Sequence, residues 1–218
     1  DSNGDLDTAA ITSFVGANSA SVVTWYEQSG QASACNLVQA TTSFQPRITD
    51  ASGNIFTVNG KPAIDDTNAG QARMVFDTTF GQAPSAISQP FHTFNVVQYP
   101  NTADRILFDG GPSDCLISAY YGGVYRMRAG TAVLTGTNQT NTQVLIDGSF
   151  NDTSSYLFEN NVSQGTNLNI GTNSINGFYL MGVNRSFGQT QEFLIYGTDV
   201  TTNRANIADN INTHYSIY

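Results

Sequence analysis

Charged residues are scarce in this sequence, and basic residues are the scarcest of them. Charged side chains make up 11% of the chain, and eight lysines and arginines stand against seventeen aspartates and glutamates, for a formal net charge of −9. Proteins that bind nucleic acid neutralise phosphates with a basic stripe, and this sequence has none. The same deficit disfavours anionic membrane surfaces. We therefore expect neither a nucleic-acid partner nor a membrane partner.

Long apolar runs are also missing. No run approaches the length of a membrane span, and the start of the chain shows no signal-peptide pattern. Only two cysteines occur, Cys35 and Cys115. They are either a disulfide pair or two small buried residues.

Apolar and uncharged polar residues make up most of the sequence. Hydrophobic residues reach 39% of 218 residues, including 10 Tyr and 13 Phe, which is enough for a sizeable core. The surface must then consist mainly of Asn, Thr, Ser, Gln and Gly. Such surfaces are common in secreted, viral and sugar-binding β-proteins. A length of 218 residues suits a single all-β domain spanning 1–218.

Short β-forming runs separated by turn residues are the main local pattern. Strands at this spacing, with few helical patterns between them, predict an antiparallel β-sandwich or jelly roll. The Asn- and Thr-rich tract 136–142 lies between two such runs and is interpreted as a loop. The predicted strands are Val22–Gln28, Ile55–Val58, Arg73–Asp77, Phe91–Tyr99, Arg105–Phe108, Cys115–Tyr121, Val124–Arg128, Ala132–Thr135, Gln143–Ile146, Ser155–Glu159, Asn167–Ile170, Phe178–Val183 and Glu192–Tyr196.

Each end of the chain carries a short helical pattern. At the start, Asp7 or Thr8 can cap a helix that runs through Phe14 and ends at Gly16. At the end, a strand closing at Gly197 is followed by Thr201 or Thr202 as a helix cap. The last helix then shows an apolar stripe at i, i+4 and i+8, formed by Ile207, Ile211 and Tyr215.

Three stretches, taken in order, carry a family resemblance: VVTWYEQSG, then SFQPRI with VNGKPAIDD, then FLIYGTDVTTNRANIADNINTHYSIY. They resemble the W-Y-D-Q-S-G, Q-P-x-I, N-G-K-P-A and closing N-x-x-Y elements of concanavalin A-like (laminin G-like) jelly-roll domains of phage structural and bacterial surface proteins. The match is weakest between Pro100 and Asn176. The resemblance implies two packed antiparallel sheets, the inner one concave. It also implies an earlier strand, so we expect part of the domain to lie upstream of Asp1.

A more distant resemblance, through the Y-D-Q-S-G and N-G-x-K elements, is to arabinofuranosidase catalytic domains. In that family the nucleophile is a glutamate on a central strand, and the acid is an aspartate in the turn before the last strand. Here the turn at 182–186 has no carboxylate, and the strands at 120–128 and 132–135 have no glutamate. The resemblance therefore implies the fold without the enzyme. Glu27 is interpreted as an acceptor for the turn Ser29-Gly30, and His92 as a satisfied strand histidine.

Two regions are candidates for sugar binding. Aromatic rings stack on the apolar face of a sugar, and arginine donors suit hydroxyls or uronate carboxylates. One region clusters rings with two of the eight basic residues; its candidates are Tyr120, Tyr121, Tyr125, Arg126 and Arg128. The other is the turn carrying Asn184 and Arg185, near the position where the related enzymes place their acid. The alternative is that the tyrosines are core or rim residues and the arginines are solvated.

Calcium is the one cofactor that the sequence offers ligands for. Oxygen-bearing side chains cluster at Asp147, Asn151 and Asp152, and also at 1–7 and 109–114. Ordinary Asp and Asn turns account for the same residues without a metal. No His/Cys cluster has zinc spacing.

These patterns together predict a non-catalytic, lectin-like carbohydrate-binding or adhesion domain. By resemblance it belongs to a phage virion or a bacterial surface protein, which places it in a virion or outside the cell. Its partners would be a glycan or host-surface polysaccharide and neighbouring subunits. The alternatives are a virion decoration or assembly module without ligand, and a divergent glycoside hydrolase or polysaccharide lyase. Fold alone does not choose among them.

Overall fold

The computed structural model describes residues 5–30, 35–67, 72–76, 86–99, 104–111, 115–181 and 188–218. They form two antiparallel sheets packed face to face, with a short helix towards each end of the chain. The prediction of an all-β jelly-roll sandwich with short N- and C-terminal helices is confirmed.

The helices and strands of the described residues follow one another in a simple order. The helices are α1 (Thr8–Val15) and α2 (Arg204–Tyr215), and 3-10 turns occur at Thr42–Phe44 and Asp152–Ser154. The strands are β1 (Thr24–Trp25), β2 (Leu37–Val38), β3 (Thr57–Val58), β4 (Lys61–Pro62), β5 (Ile64–Asp65), β6 (Met74–Phe76), β7 (Phe91–Gln98), β8 (Arg105–Asp109), β9 (Cys115–Tyr120), β10 (Val124–Ala129), β11 (Ala132–Thr135), β12 (Val144–Phe150), β13 (Ser155–Glu159), β14 (Val162–Leu168), β15 (Tyr179–Leu180) and β16 (Gln189–Tyr196).

The two sheets differ in width. The eight-stranded sheet has the order β1-β2-β6-β15-β8-β9-β10-β11, and the six-stranded sheet has the order β14-β13-β12-β7-β16-β5. Strands β3 and β4 form a separate hairpin. Its turn, Asn59-Gly60, has positive φ at both residues (49° and 75°), which is the geometry that an Asn-Gly hairpin favours.

The core lies between the sheets and follows from side-chain alternation. On β10, Tyr125, Met127 and Ala129 are buried, while the residues between them are half exposed. The opposing strands contribute aromatic rings, of which Phe91 and Phe150 stack with their centroids 4.4 Å apart. Each large apolar side chain buried in this layer contributes about 1.5–3 kcal/mol.

Helix α2 covers the outer face of the six-stranded sheet. Its stripe behaves as the sequence predicts: Ile211 and Tyr215 are buried, and Ile207 packs against the same cluster over Phe94 and Leu145. The helix begins later than predicted, after Asn203, which makes no side-chain cap. The predicted cap Thr201 is engaged elsewhere, because it bonds the carboxylate of Asp199 at 2.5 Å.

Helix α1 matches the sequence prediction. Asp7 Oδ1 accepts a hydrogen bond from Ala10 N at 2.9 Å, and Gly16, with φ of 56°, ends the helix. The cysteines differ in burial: Cys35 is half exposed, whereas Cys115 is buried in the core and its thiol donates to Asn173 O at 3.1 Å.

Several strands differ from their predicted bounds, and three of them show why. Strand β1 has two residues where seven were predicted, and β14 begins at Val162 and not at Asn167. Strand β12 continues to Phe150 although the sequence from Asp147 to Ser149 resembles a turn. All seven residues of β12 are buried. The Asp147 carboxylate can be buried among them because it pairs with Arg204, which is distant in sequence.

Candidate functional site

The outer face of the eight-stranded sheet carries most of the predicted sugar-binding residues. No helix in the described part of the chain packs on that face, whereas α2 occupies the corresponding face of the other sheet. Since Tyr125 and Met127 point into the core, Arg126 and Arg128 point outward. Arg126 lies opposite Ser118, and Arg128 opposite Leu116.

Four residues on this face form what we call the tyrosine–arginine cluster: Tyr120, Tyr121, Arg126 and Asp104. The Arg126 guanidinium carbon lies 4.7 Å from the centroid of the Tyr120 ring. Its Nη2 donates to both carboxylate oxygens of Asp104, at 3.3 and 3.2 Å. The Tyr121 ring meets the Tyr120 ring edge-on at 5.5 Å and is 58% exposed. The cluster therefore joins two rings, a cation and a carboxylate at the turn end of the β9–β10 hairpin.

Hydrogen bonds from Asn138 stabilise the β9–β10 hairpin that carries Tyr120 and Tyr121. Its three-residue turn contains Gly122 and Gly123, both with positive φ (82° and 76°). Asn138 Nδ2 donates to Val124 O at 2.6 Å and to Tyr120 O at 3.4 Å, and Asn138 N donates to Gly123 O at 2.9 Å. The 136–142 tract is thus a loop, as predicted, and it fixes the turn through Asn138.

The chemistry of the cluster suits a hydroxyl-rich, uncharged ligand. A tyrosine ring offers a face to C–H groups, and a guanidinium donates to hydroxyl oxygens. Asp104 lies within ion-pair distance of Arg126 and offsets its charge, and the Asp104 side chain is only 2% exposed. An anionic group would have to compete with Asp104 for Arg126. Arg126 Nε and the Ser118 Oγ beside it are both buried, and neither has a hydrogen-bond partner among the described residues.

Tyr125 is a correction to the predicted site. Its side chain is fully buried between the sheets, where its hydroxyl lies 3.0 Å from the Tyr99 hydroxyl and donates to Glu159. Gln139 Nε2 donates to the other Glu159 oxygen at 2.7 Å. Burial, followed by the neighbouring Tyr99 and Glu159, raises the pKa of Tyr125, and burial also raises the pKa of Glu159. The residue therefore supports the core and offers no surface to a ligand.

Asp147 corrects the calcium prediction. The carboxylate is fully buried beneath α2, where Oδ2 accepts from Arg204 Nη1 at 2.8 Å and Oδ1 lies 3.4 Å from His92 Nε2. The guanidinium occupies the position that a cation would need. Asn151 and Asp152 lie beyond the strand end, at a 3-10 turn, where Ser155 Oγ and Gln89 Oε1 accept from their backbone N–H groups. In the residues searched, no group of three or more His, Cys, Asp or Glu could hold a metal ion.

The remaining predicted residues have varied positions. Asn184 and Arg185, and the turn at 182–186, lie outside the described residues. Glu27 accepts from Ser29 N at 2.5 Å, so its interpretation as a turn acceptor is confirmed. His92 is fully buried and contacts Asp147 and Tyr156, which confirms a satisfied strand histidine.

One open depression lies at an end of the sandwich. It has a volume of about 520 Å³, and its lining includes Ile87, Gln89, Pro90 and Asp199. Its amide and carboxylate are already used by the protein: Gln89 Nε2 donates to two backbone carbonyls at 2.9 Å, and Asp199 accepts from Thr201. The tyrosine–arginine cluster is the better candidate because its Tyr121 ring is exposed and can stack on a ligand.

Sequence reasoning missed Asp104 and Asn138. Both act across long sequence separations, Asp104 on Arg126 and Asn138 on the hairpin turn. The sequence does indicate the hairpin, through its Gly-Gly turn. Strand alternation then places Tyr120 beside Arg126 once the register is known. No sequence signal points to Asp104.

The comparisons with known proteins bear on the fold. No protein-family model and no curated protein matches the chain. Among solved structures, Trypanosoma rangeli sialidase matches with 14% identity over 91% of this chain and 33% of that chain, at a TM-score of 0.52. Its complex with the inhibitor DANA matches with 12% identity over 96% and 36%, at 0.53. The chain thus spans about a third of the length of these sialidase chains. At such identities the likeness is one of fold alone.

Proposed function

We propose that this chain is a non-catalytic carbohydrate-binding domain and that its ligand contacts the tyrosine–arginine cluster. The observation that carries the proposal is the Tyr120 ring stacked against Arg126, with Asp104 accepting from the same guanidinium. This arrangement offers stacking and donor groups within one sugar's reach. The exposed Tyr121 ring extends the contact surface at the β9–β10 turn.

The solved-structure comparisons are compatible with this proposal and do not choose the sugar. The matching sialidase structures are named as complexes with DANA and with sialic acid, and those ligands are properties of that enzyme. By its resemblance to phage structural and bacterial surface domains, we propose a virion or cell-surface setting, with a glycan or host polysaccharide as the partner.

A glycan-array screen with matched tyrosine variants tests the proposal. Tyr121→Ala and Arg126→Ala should each weaken binding by about ten-fold, because stacking and a charge-assisted hydrogen bond are each worth about 1–2 kcal/mol. Tyr26→Ala is the control, since Tyr26 is also exposed, at 68%, but follows β1, an edge strand that is not adjacent to β9 or β10. Tyr121→Ala and Tyr26→Ala should keep the wild-type Tm, whereas Arg126→Ala removes a partner of the nearly buried Asp104 carboxylate and should lower it. Equal loss in all three, or binding to no glycan, would overturn the proposal.

The second candidate is an assembly module, and one exposed residue favours it. Phe14 on α1 is 91% exposed, and residues 8–26 contain no charged side chain. A protein with net charge −9 associates most readily through an uncharged patch. Light scattering on wild type and Phe14→Ser decides: an oligomer that Phe14→Ser dissociates supports assembly, and a monomer at all concentrations argues against it.

A further inference from the structure

A second aromatic–arginine group lies on the same sheet face, away from the tyrosine–arginine cluster. The guanidinium carbon of Arg73 is 4.4 Å from the centroid of the Phe44 ring and 5.8 Å from that of Tyr179. Because Met74 points into the core, Arg73 and Val75 point outward. All three members of this group, which we call the arginine clamp, are half exposed.

A buried glutamine positions two residues of the arginine clamp, Arg73 and Phe44. Gln39 is 6% exposed, and its Nε2 donates to Arg73 O at 3.0 Å. Its Oε1 accepts from Thr41 N at 3.0 Å, which fixes the start of the 3-10 turn that carries Phe44. Arg73 N donates in turn to Phe44 O at 3.0 Å. The ring and the guanidinium are thus positioned by the same network, and little ordering remains to be done when a ligand arrives.

Arg73 differs in its charge environment from several other basic residues of the described chain. Arg126, Arg204 and Lys61 each lie within ion-pair distance of a carboxylate. In the part of the chain that the structure describes, no carboxylate forms such a pair with Arg73, whose contacts are the two rings. Even in a protein of net charge −9, a half-exposed guanidinium between two rings is a favourable binding site for a carboxylate, because it can donate charge-assisted hydrogen bonds.

The spacing of the two groups sets the size of a ligand that contacts both. Tyr179 lies opposite Asp109, Asp109 opposite Leu116, and Leu116 opposite Arg128, so these four residues form one row across the outer face. Three strand spacings separate Tyr179 from Arg128, which is about 14 Å, and Arg126 of the tyrosine–arginine cluster lies two residues further along β10. One sugar ring is too short for that distance.

We propose that the arginine clamp binds a carboxylate-bearing sugar of the same glycan whose neutral part contacts the tyrosine–arginine cluster. The ligand is therefore an acidic oligosaccharide, of uronic-acid type, that runs diagonally across the outer face of the eight-stranded sheet. This inference rests on the proposed function. It assigns the two ends of the ligand different chemistry: hydroxyls at Arg126, which Asp104 already offsets, and a carboxylate at Arg73.

The test is a binding series with matched ligands and variants. The probes are uronate-containing oligosaccharides of one to six sugars, the methyl ester of each, and neutral oligosaccharides of equal length. Wild type should bind an acidic oligosaccharide about ten-fold or more tightly than its ester, because esterification removes the charge-assisted hydrogen bonds. That preference should weaken with added salt. Affinity should rise once the oligosaccharide is long enough to reach both groups, because a single sugar can contact only one of them.

Variants locate the preference. Arg73→Gln should abolish the difference between acid and ester while leaving neutral oligosaccharides unaffected, and Arg73→Lys should keep part of it. Arg47→Gln is the matched control, because its guanidinium also lies over a ring, that of Phe56 at 5.4 Å, outside this face. Thermal melting of each variant tests whether the role of the arginine clamp is purely structural. A purely structural role would lower Tm and leave the ratio of the affinities for acid and ester unchanged.

Each outcome bears on the inference. Glycan binding without an acid preference, or an acid preference that Arg73→Gln retains, overturns the inference and leaves the proposed function standing. Binding to no glycan of any kind overturns the proposed function and the inference with it.

Discussion

Replacing Arg204 should destabilise the protein far more than replacing any surface cation. Arg204 begins α2, lies with its guanidinium carbon 3.9 Å from the Phe158 ring centroid, and donates to the fully buried Asp147 at 2.8 Å. Arg204→Met leaves the Asp147 charge in the interior without its cation. Removing one partner of a buried pair costs about 3–5 kcal/mol. For a chain of this length we expect a fall in Tm on the order of 10 °C.

A double variant distinguishes the free-energy cost of an unpaired buried charge from the cost of lost packing. Asp147→Asn combined with Arg204→Met should recover most of the free energy of unfolding that Arg204→Met loses, because no buried charge is then left unpaired. Lys61→Met is the control. The Lys61–Asp5 pair is 3.9 Å apart and its side chains are 35% and 47% exposed, so its loss should cost about 0–1 kcal/mol.

The assay is urea unfolding followed by circular dichroism, at the pH of the binding experiments. If Arg204→Met costs no more than Lys61→Met, then Asp147 is not held as an ion pair beneath α2. If the double variant is as unstable as Arg204→Met, the loss comes from packing and the charge argument is wrong.

Three further predictions concern the core and the hairpin. Burial raises the pKa of Glu159, so the folded protein holds that proton to a higher pH than the unfolded chain does. Stability should therefore decline as pH rises above the ordinary glutamate value, and Glu159→Gln should remove that decline in unfolding curves measured from pH 4 to 8. Asn138→Ala removes the side-chain bonds to Val124 and Tyr120 and should cost about 1–3 kcal/mol and weaken glycan binding; unchanged affinity would show that the turn needs no support. Gly148→Ala places a methyl carbon 2.6 Å from Ile117 Cδ1 and should cost about 1–3 kcal/mol by urea unfolding, whereas a neutral effect would mean that the Ile117 side chain can move aside.

Elements that depend on local patterns are predictable from this sequence. The caps Asp7 and Gly16 bound α1 because both act on the turn next to them. The stripe of α2 follows from helical periodicity. Strand alternation correctly places Arg126 and Tyr125 on opposite faces of β10, but it does not reveal which face meets the other sheet.

The contacts that define the candidate site arise between distant parts of the chain. Asp147 has the sequence context of a turn, and only the arrival of Arg204 from α2, 57 residues later, makes a buried strand position tolerable for it. Asp104 meets Arg126 across 22 residues, and Arg73 meets Phe44 through a glutamine that precedes both. Single-sequence patterns carry no register between such segments.

The location of the bound glycan tests the central claim most directly. Amide and arginine Nε–Hε chemical shifts should be followed by NMR while the best ligand of the screen is added. We expect the largest changes at Tyr120, Tyr121 and Arg126 and on their strands β9 and β10, with α2 unchanged. Changes confined to α2, or to the depression beside Pro90, would contradict binding on the outer face of the eight-stranded sheet.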